Sequence, residues 1–301
     1  MVKKIINALK FYFSEPCCAV GFIDILEVTN RISIPKVNWV KRTPSDRWYA
    51  DPFILSVTDS TVELLVERYK YDEGKGVLSN LLINRKNNHL IRESVILELT
   101  THLSFPFIIE ESGVIYVMPE NYQSGRLSIY EYDRGHNSLI NPHVLVNEPL
   151  VDAVCKKIDE NYYIFATKYD DNFYEAAKIL YIYRSTSLKG KYVLIQTIPY
   201  EKAEGRGAGE IIEFDGNLFR PSQDCNDGYG KCVIFSKLNL KDGTFQVAEQ
   251  GRILPSDIKY SLGLHTYNQK SEVVVVDGIG YRRGVLSAII SYIYKAINKI
   301  K

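Results

Sequence analysis

The 301-residue sequence predicts an all-β protein, a five-bladed β-propeller with short amphipathic helical segments at its termini. Three observations favour the propeller. Short apolar, β-branched and tyrosine-rich runs alternate with turn signals. Long helical periodicity is missing from the middle of the chain. A weak internal repeat recurs about every 50 residues, and a period near 50 with about four strands per unit is typical of propeller blades.

The turn signals separate the strand-like runs. We interpret four Asp-Gly sequences as turns: Asp215-Gly216-Asn217, Asp227-Gly228, Asp242-Gly243 and Asp277-Gly278. The 22 tyrosines fit the same interpretation, because tyrosine favours strands.

Each repeat unit opens with a short strand, turns, and returns on a second strand. The opening strand of a propeller blade lines the central channel, so its leading residue is expected to face the axis. Three of these leading residues are acidic and one is histidine. The five are Asp51, Pro106, Asp152, Glu210 and His265.

The sequence divides into an N-terminal segment (1–40), the propeller (41–284) and a C-terminal basic amphipathic helix (285–301). In Val285–Lys301, isoleucines and a leucine recur at helical spacing before the terminal lysines. The segment can pack on the domain or lie on a membrane surface. No signal peptide and no run of about 20 apolar residues is present. We therefore expect a cytoplasmic protein, with peripheral contact at the inner membrane face as an extension of that location.

Charge and cysteine content argue against nucleic acid as a partner and against a disulfide framework. Lys plus Arg number 37 and Asp plus Glu 36, for a net charge of +1, which argues against a general nucleic-acid binder. The five cysteines are odd in number and irregularly spaced, which indicates reduced thiols rather than a disulfide framework. No metal site is predicted: Asp170-Asp171 lies in a polar loop and is interpreted as solvated.

Asp51, Asp152 and Glu210 hold the same position in three repeats. Carboxylates around a pocket are the groups that glycosyl transfer uses as base or nucleophile and as acid. Burial and mutual repulsion would push their pKa values apart and so assign the acid and base roles. The alternative is that each merely caps a turn or strand.

Further candidates lie near these carboxylates. Arg206, in a glycine-rich loop, and Arg220 are candidates to bind a phosphate or carboxylate, or else form structural ion pairs. Gln223 and Asp224 end the same hairpin as Arg220 and are grouped with it as substrate-binding candidates.

Three more residues complete the candidate site. His265 is expected to contact or orient a ligand rather than fill a core. Glu67 is either a supporting residue of the site or a strand-end acid. Trp48 either stacks on a sugar or plugs a seam between blades.

The Ala50-Asp51-Pro52-Phe53 start, together with Asp152 and Glu210, resembles the five-bladed propellers of glycoside hydrolase family 43. The resemblance implies that Asp51 is the base, Asp152 an orienting residue and Glu210 the acid. Glu210 follows Gly209, whereas in those hydrolases the glutamate precedes a Gly-Pro pair. Glu120 is therefore the alternative acid.

A closer match covers about Trp48 to Arg282. This region resembles the N-terminal domain type of plant glucosamine inositolphosphorylceramide transferases, which is also found alone in bacterial surface-polysaccharide clusters. The matching stretches are ADPF at Ala50–Phe53, FPFIIEESGVIYVMPE at Phe105–Glu120, VDA at Val151–Ala153, FRPSQDC at Phe219–Cys225 and LHT at Leu264–Thr266.

Taken together, these features predict a glycosyltransferase of bacterial surface-polysaccharide biosynthesis. It would transfer a sugar, by analogy a furanose, from a nucleotide donor to a glycan or lipid-linked acceptor. Asp51 or Asp152 would deprotonate the acceptor, and Arg206 or Arg220 would neutralise the leaving diphosphate. No cofactor is expected beyond the nucleotide-sugar substrate, and the need for a metal stays open. The alternatives are an intracellular family-43 hydrolase or phosphorylase and a non-catalytic glycan-binding propeller.

Overall fold

The computed structural model describes residues 15–25 and 32–282, and in this part of the chain the protein is an all-β propeller of five sheets. Three short strands come first along the chain. They are β1 (Pro16–Ile23), β2 (Ile32–Ser33) and β3 (Asn38–Trp39).

Blades one to three are four-stranded antiparallel sheets in which consecutive strands pair. Blade one contains β4 (Arg47–Val57), β5 (Thr61–Lys70), β6 (Gly76–Asn84) and β7 (Leu90–Leu97). Blade two contains β8 (Ser104–Glu111), β9 (Val114–Glu120), β10 (Leu127–Asp133) and β11 (Ser138–Val146). Blade three contains β12 (Leu150–Ile158), β13 (Asn161–Lys168), β14 (Ile179–Ser185) and β15 (Val193–Pro199).

Blades four and five both take strands from the start of the chain. Blade four contains β16 (Ile212–Phe214), β17 (Asn217–Gln223), β18 (Val233–Lys241) and β19 (Thr244–Ile253), with β2 added in parallel to β19. Blade five contains β20 (Tyr267–Lys270) and β21 (Val273–Tyr281), followed by β1 and β3. Because β1 pairs along all of its length with β21, the first described strand closes the ring against the last.

The structure differs from the sequence-based prediction at one boundary and at one turn. Residues 1–40 were separated from the propeller, but Pro16–Ile23 and Asn38–Trp39 are strands of its fifth blade. Asp277-Gly278 was interpreted as a turn, yet both residues lie inside β21. The amphipathic helices expected at the two ends, including the one at 285–301, fall outside the described residues. Among those described, helix is limited to a 3₁₀ turn at Tyr122–Ser124 and to α1 (Phe173–Ala176).

The opening strands of blades one to three share a bulge. Asp51, Phe105 and Asp152 have φ values of 50°, 44° and 47°, in the left-handed region. At each of these points the pairing with the next strand shifts register. A bulge of this kind turns a side chain and a backbone N–H away from the ladder, and such strain is concentrated at functional sites.

Aromatic side chains pack across the seams between blades. Phe53 of blade one meets Phe105 and Phe107 of blade two edge to face, with ring centroids 5.0 and 5.7 Å apart. Phe245 of blade four packs in the same way against Phe165 of blade three at 5.2 Å. Edge-to-face contacts add to the free energy of burying these rings, so the seams hold the blades in fixed relative positions.

Within the described part of the chain, no helix has the length and apolar character required to cross a lipid bilayer.

Substitution of Gly209 tests how tightly the loop between blades three and four packs against blade five. Its φ is +140°, and a Cβ atom there would lie 2.0 Å from the carbonyl oxygen of Tyr267. We expect Gly209→Ala to lower the free energy of unfolding by about 3 kcal/mol, because neither backbone can yield cheaply. Gly216→Ala is the matched control: its φ is +70°, but its Cβ would meet nothing within 4 Å, so a loss of about 1 kcal/mol is expected. Equilibrium urea unfolding measures both, and equal losses would contradict the packing argument.

Candidate functional site

A cavity of about 350 Å³ lies where four blades meet, and acidic side chains surround it. Asp51 and Glu67 come from blade one, Glu120 from blade two and Asp152 from blade three. Arg206, in the loop that leads into blade four, also lines it. The four carboxylates are almost completely buried, each less than 10% exposed. Buried charges are stable only when they are paired or hydrogen-bonded, so their partners decide what each can do.

Asp51 is held by groups from blades two and five. Its Oδ2 accepts the backbone N–H of Phe105 at 3.1 Å, which the bulge of blade two presents. Its Oδ1 accepts the hydroxyl of Thr266 at 3.0 Å and lies 3.2 Å from Nε2 of His265. The backbone N–H of Asp51 donates to Oδ2 of Asp277 at 2.9 Å. These contacts fix the position of the carboxylate that the sequence predicted as base.

His265 lies between two carboxylates. Its Nδ1 is 3.0 Å from Oδ1 of Asp277, and its Nε2 faces Asp51. Burial alone would lower the pKa of His265, but Asp277 and Asp51 raise it well above its ordinary value. The two carboxylates therefore favour the imidazolium form of His265, whose charge offsets theirs.

The same three residues are the described group that could hold a metal ion. Ligand atoms of Asp51, His265 and Asp277 all lie within 4.8 Å of one another. A metal ligand must be deprotonated, so a cation there would have to displace the proton that the two carboxylates retain on His265.

Asp152 anchors the arginine of the cavity. Its Oδ2 accepts Nε of Arg206 at 2.6 Å and Nε2 of Gln223 at 2.9 Å. The guanidinium of Arg206 lies over the rings of Phe173 and Tyr229, 5.0 and 5.2 Å from their centroids, and the two rings contact each other at 5.7 Å. Both rings therefore add a cation–π contact to the ion pair between Arg206 and Asp152.

Glu120 accepts the backbone N–H of Asp152 at 2.9 Å, the donor that the bulge of blade three presents. Its Oε2 is 4.0 Å from Nη2 of Arg206. Burial, reinforced by the neighbouring Asp152 carboxylate, raises the pKa of Glu120 well above its ordinary value, and Arg206 counters this only in part. A carboxyl whose protonated form is favoured in this way can act as a general acid.

Glu67 faces a histidine that the sequence did not single out. Its Oε1 lies 3.2 Å from Nε2 of His102, whose Nδ1 accepts the backbone N–H of Gly76. Burial raises the pKa of Glu67. The pKa of His102 is also raised, because Glu67 outweighs the effect of burial. This pair forms the wall of the cavity on the side of blade one.

Glu210 does not join the other carboxylates. It is not among the residues that line the cavity, and the charged groups that act on it are Lys156, Lys270 and Glu110. In blades one and three, the cavity acid directly follows the last paired residue before the bulge, which is Ala50 or Val151. In blade four the corresponding paired residue is Gly207, which pairs with Ser222. The equivalent position is therefore Ala208, and the sequence-based alignment was wrong by two residues. Glu120 takes the place in the cavity that was predicted for Glu210.

Three substrate-binding candidates also lie elsewhere. Arg220 is fully buried, and its Nη2 donates to the carbonyl of Gly205, so it supports the loop that carries Arg206. Asp224 accepts Nη1 of Arg252 at 2.7 Å. Trp48 stacks on Tyr69, with ring centroids 4.7 Å apart. None of the three lines the cavity.

No sequence pattern identified two residues that are important in the structure, Asp277 and Tyr229. Asp277 resembled a turn residue because Gly278 follows it, although the run of valines before it was a signal for a buried strand. Tyr229 followed a predicted Asp-Gly turn and carried no pattern that would distinguish it from the other tyrosines. Only the fold brings Tyr229 to the wall of the cavity and Asp277 into contact with Asp51 and His265.

Comparison with known proteins identifies relatives of this arrangement. The chain is 28% identical over 148 residues to glucosamine inositolphosphorylceramide transferase 1 of rice (Oryza sativa subsp. japonica), which is 48% of this chain and 20% of the relative. The Arabidopsis thaliana protein of the same name is 29% identical over 150 residues, with the same coverage. These relatives are named as glycosyltransferases, and the matched region spans about a fifth of their length.

Solved structures share the fold. An exo-β-1,3-galactanase from Phanerochaete chrysosporium in complex with galactose superposes with a TM-score of 0.56 at 12% identity, covering 70% of this chain and 54% of that one. The RS223 β-xylosidase gives a TM-score of 0.53 at 12% identity, covering 77% and 83%. Both likenesses support the five-bladed propeller.

A family model described as the N-terminal region of glucosamine inositolphosphorylceramide transferase 1 matches residues 32–256. This region begins at β2 and continues into the loop that follows β19, so it takes in blades one to four. Because the match covers most of the chain, the protein belongs to this family.

Proposed function

We propose that this protein is a glycosyltransferase that moves a sugar from a nucleotide donor to a glycan or lipid-linked acceptor. The single observation that carries the proposal is the cavity that Asp51, Glu120, Asp152 and Arg206 line together. It combines a fixed carboxylate, a carboxyl whose protonated form is favoured and a cation, which are the groups needed to exchange one oxygen for another at an anomeric carbon.

In the proposed reaction, Asp51 accepts the proton of the acceptor hydroxyl as its oxygen bonds to the anomeric carbon. The bond from that carbon to the donor diphosphate breaks, and the diphosphate leaves with the electron pair. Arg206 offsets the charge that develops there, since only its Nε is used by Asp152. Glu120, 4.0 Å from Arg206, donates its proton to the leaving oxygen.

The proposed setting is bacterial surface-polysaccharide assembly at the inner face of the membrane, with a furanose as donor sugar. The support is the family membership and the lysines near both ends of the sequence: Lys3, Lys4, Lys10, Lys295, Lys299 and Lys301. Basic amphipathic segments bind anionic lipid faces. The plant relatives, whose name specifies an inositolphosphorylceramide, provide only an analogy for a lipid-linked acceptor.

A glycoside hydrolase is the second candidate, because a base and a protonated acid at one cavity would also serve the attack of water on a glycoside. The experiment that separates the two supplies the protein with a panel of nucleotide sugars and with aryl glycosides. Acceptor-dependent release of nucleoside diphosphate supports transfer. Release of sugar from an aryl glycoside without nucleotide supports hydrolysis, and glycan binding without any turnover would contradict both.

Substitution of the cavity acids tests the mechanism. We expect Asp51→Asn and Glu120→Gln each to lower kcat about 10²–10⁴-fold, the usual contribution of a positioned base or acid. Glu210→Gln is the matched control, because Glu210 lies outside the cavity, and its kcat is expected to stay within about twofold of the wild type. Thermal melting of each variant checks folding. A large loss in Glu210→Gln, or none in the other two, would remove the assigned roles.

The pH dependence tests Glu120 separately. As an acid it is active only when protonated, so kcat/KM should fall as pH rises through its raised pKa. The Asp152 charge helps to raise that pKa, and Asp152→Asn should therefore move the alkaline limb of the pH–rate profile to lower pH. The limb should disappear in Glu120→Gln. A limb that keeps its position in Asp152→Asn would show that another group titrates.

Membrane contact is tested by flotation with liposomes that contain anionic lipid. We expect the full chain to float and a version without Val285–Lys301 to float less, since lysines near an anionic surface contribute about 1 kcal/mol each. Negligible flotation of both proteins would reject the peripheral location.

A further inference from the structure

A second cavity, also about 350 Å³, adjoins the first on the side of blade three. We call the cavity around Asp51 and Glu120 the acidic lobe, and the second cavity, with Tyr122, Tyr169, Phe173 and Tyr229 in its wall, the aromatic lobe. The two lobes share four lining residues, which are Glu120, Tyr122, Arg206 and Tyr229. They are therefore two parts of one cleft, with Arg206 at the junction.

The aromatic lobe exposes ring faces on which a flat ligand group could stack. Tyr122 and Tyr169 stack with ring centroids 4.2 Å apart and planes 11° from parallel. Tyr169, Phe173 and Tyr229 are 44%, 36% and 45% exposed, although large aromatic side chains usually bury most of their area. Exposed aromatic faces gathered at one cavity are typical of ligand sites.

The charged side chains differ from one part of the cleft to the next. Arg206 is the cation of the junction, and the one hydrogen bond that its guanidinium donates to a described residue uses Nε. Lys168, in the wall of the aromatic lobe, already pairs with Glu148. Asp170 and Asp171 on the rim would repel a phosphate but can accept hydroxyl groups. An anionic group therefore fits at the junction, and a neutral ring that carries hydroxyls fits in the aromatic lobe.

We propose that the aromatic lobe holds the nucleoside of a nucleotide-sugar donor, with the diphosphate at Arg206 and the sugar in the acidic lobe. The order sugar, diphosphate, nucleoside then matches the order acidic lobe, arginine, aromatic lobe. The base stacks on the tyrosine pair, and the ribose hydroxyls face the carboxylates of the rim. This assignment rests on the proposed use of a nucleotide donor and adds the location of each part of it.

The test is titration calorimetry with nucleoside diphosphates of the four common bases and with inorganic diphosphate. Tyr169→Ala should weaken the nucleoside diphosphate that binds best by about tenfold or more, the effect of losing one base-aromatic stack. Tyr169→Phe keeps the ring and should stay within about twofold. Tyr174→Ala removes a neighbouring exposed tyrosine that does not line the lobe, and it should also stay within about twofold.

Inorganic diphosphate provides the internal control, because its affinity should be equal in the wild type and all three variants. Equal affinity of Tyr169→Ala and the wild type for every nucleoside diphosphate that binds would overturn the nucleoside assignment and leave the proposed transfer intact. Loss of saccharide-acceptor binding alone in Tyr169→Ala would also overturn it and assign the lobe to the acceptor. If no nucleotide binds to the wild type, the nucleotide donor itself is rejected.

Discussion

The carboxylate of Asp277 joins the last blade of the ring to the first. It accepts the backbone N–H of Asp51 from blade one, and the N–H groups of His265 and Thr266 at the entry to blade five. The hydroxyl of Thr266 lies 3.0 Å from both Asp277 and Asp51, so its one proton is shared between the two carboxylates. A fully buried carboxylate without such donors would cost several kcal/mol. Here the cost is offset partly within blade five, by His265 and Thr266, and partly by the N–H of Asp51, which is within reach only when blade one packs against blade five. The position of Asp51 therefore depends on the closure of the ring.

The other carboxylates of the cavity depend on neighbouring blades in the same way. The bulge in each opening strand aims a backbone N–H at an acid of an adjacent blade: Phe105 at Asp51, and Asp152 at Glu120. Blades one to three thus each present an acid and fix the acid of a neighbouring blade. This arrangement explains why strained backbone recurs at equivalent points of three blades, since a regular ladder would use those N–H groups within its own sheet.

The sequence predicted the five-bladed ring because strand length, turn residues and repeat period all agree along the chain. It also indicated Asp51 and Asp152, whose blades have the same offset from strand to bulge. It failed at Glu210, because the pairing of Gly207 with Ser222 moves the equivalent point back to Ala208. A repeat read from sequence has no register, and a shift of two residues keeps the same alternation of side chains. Asp277 and His102 acquire their importance only through partners that are distant in sequence, which no local pattern reveals.

The pairing of β1 with β21 has a consequence for everything attached to the propeller. The backbone N–H of Arg282 donates to the carbonyl of Glu15, and the two side chains form an ion pair at 2.8 Å. The chain therefore enters and leaves the described structure at one point on the rim of blade five. Two groups tethered at a common point experience each other at high effective concentration, so binding by one of two segments joined to the propeller there would favour binding by the other.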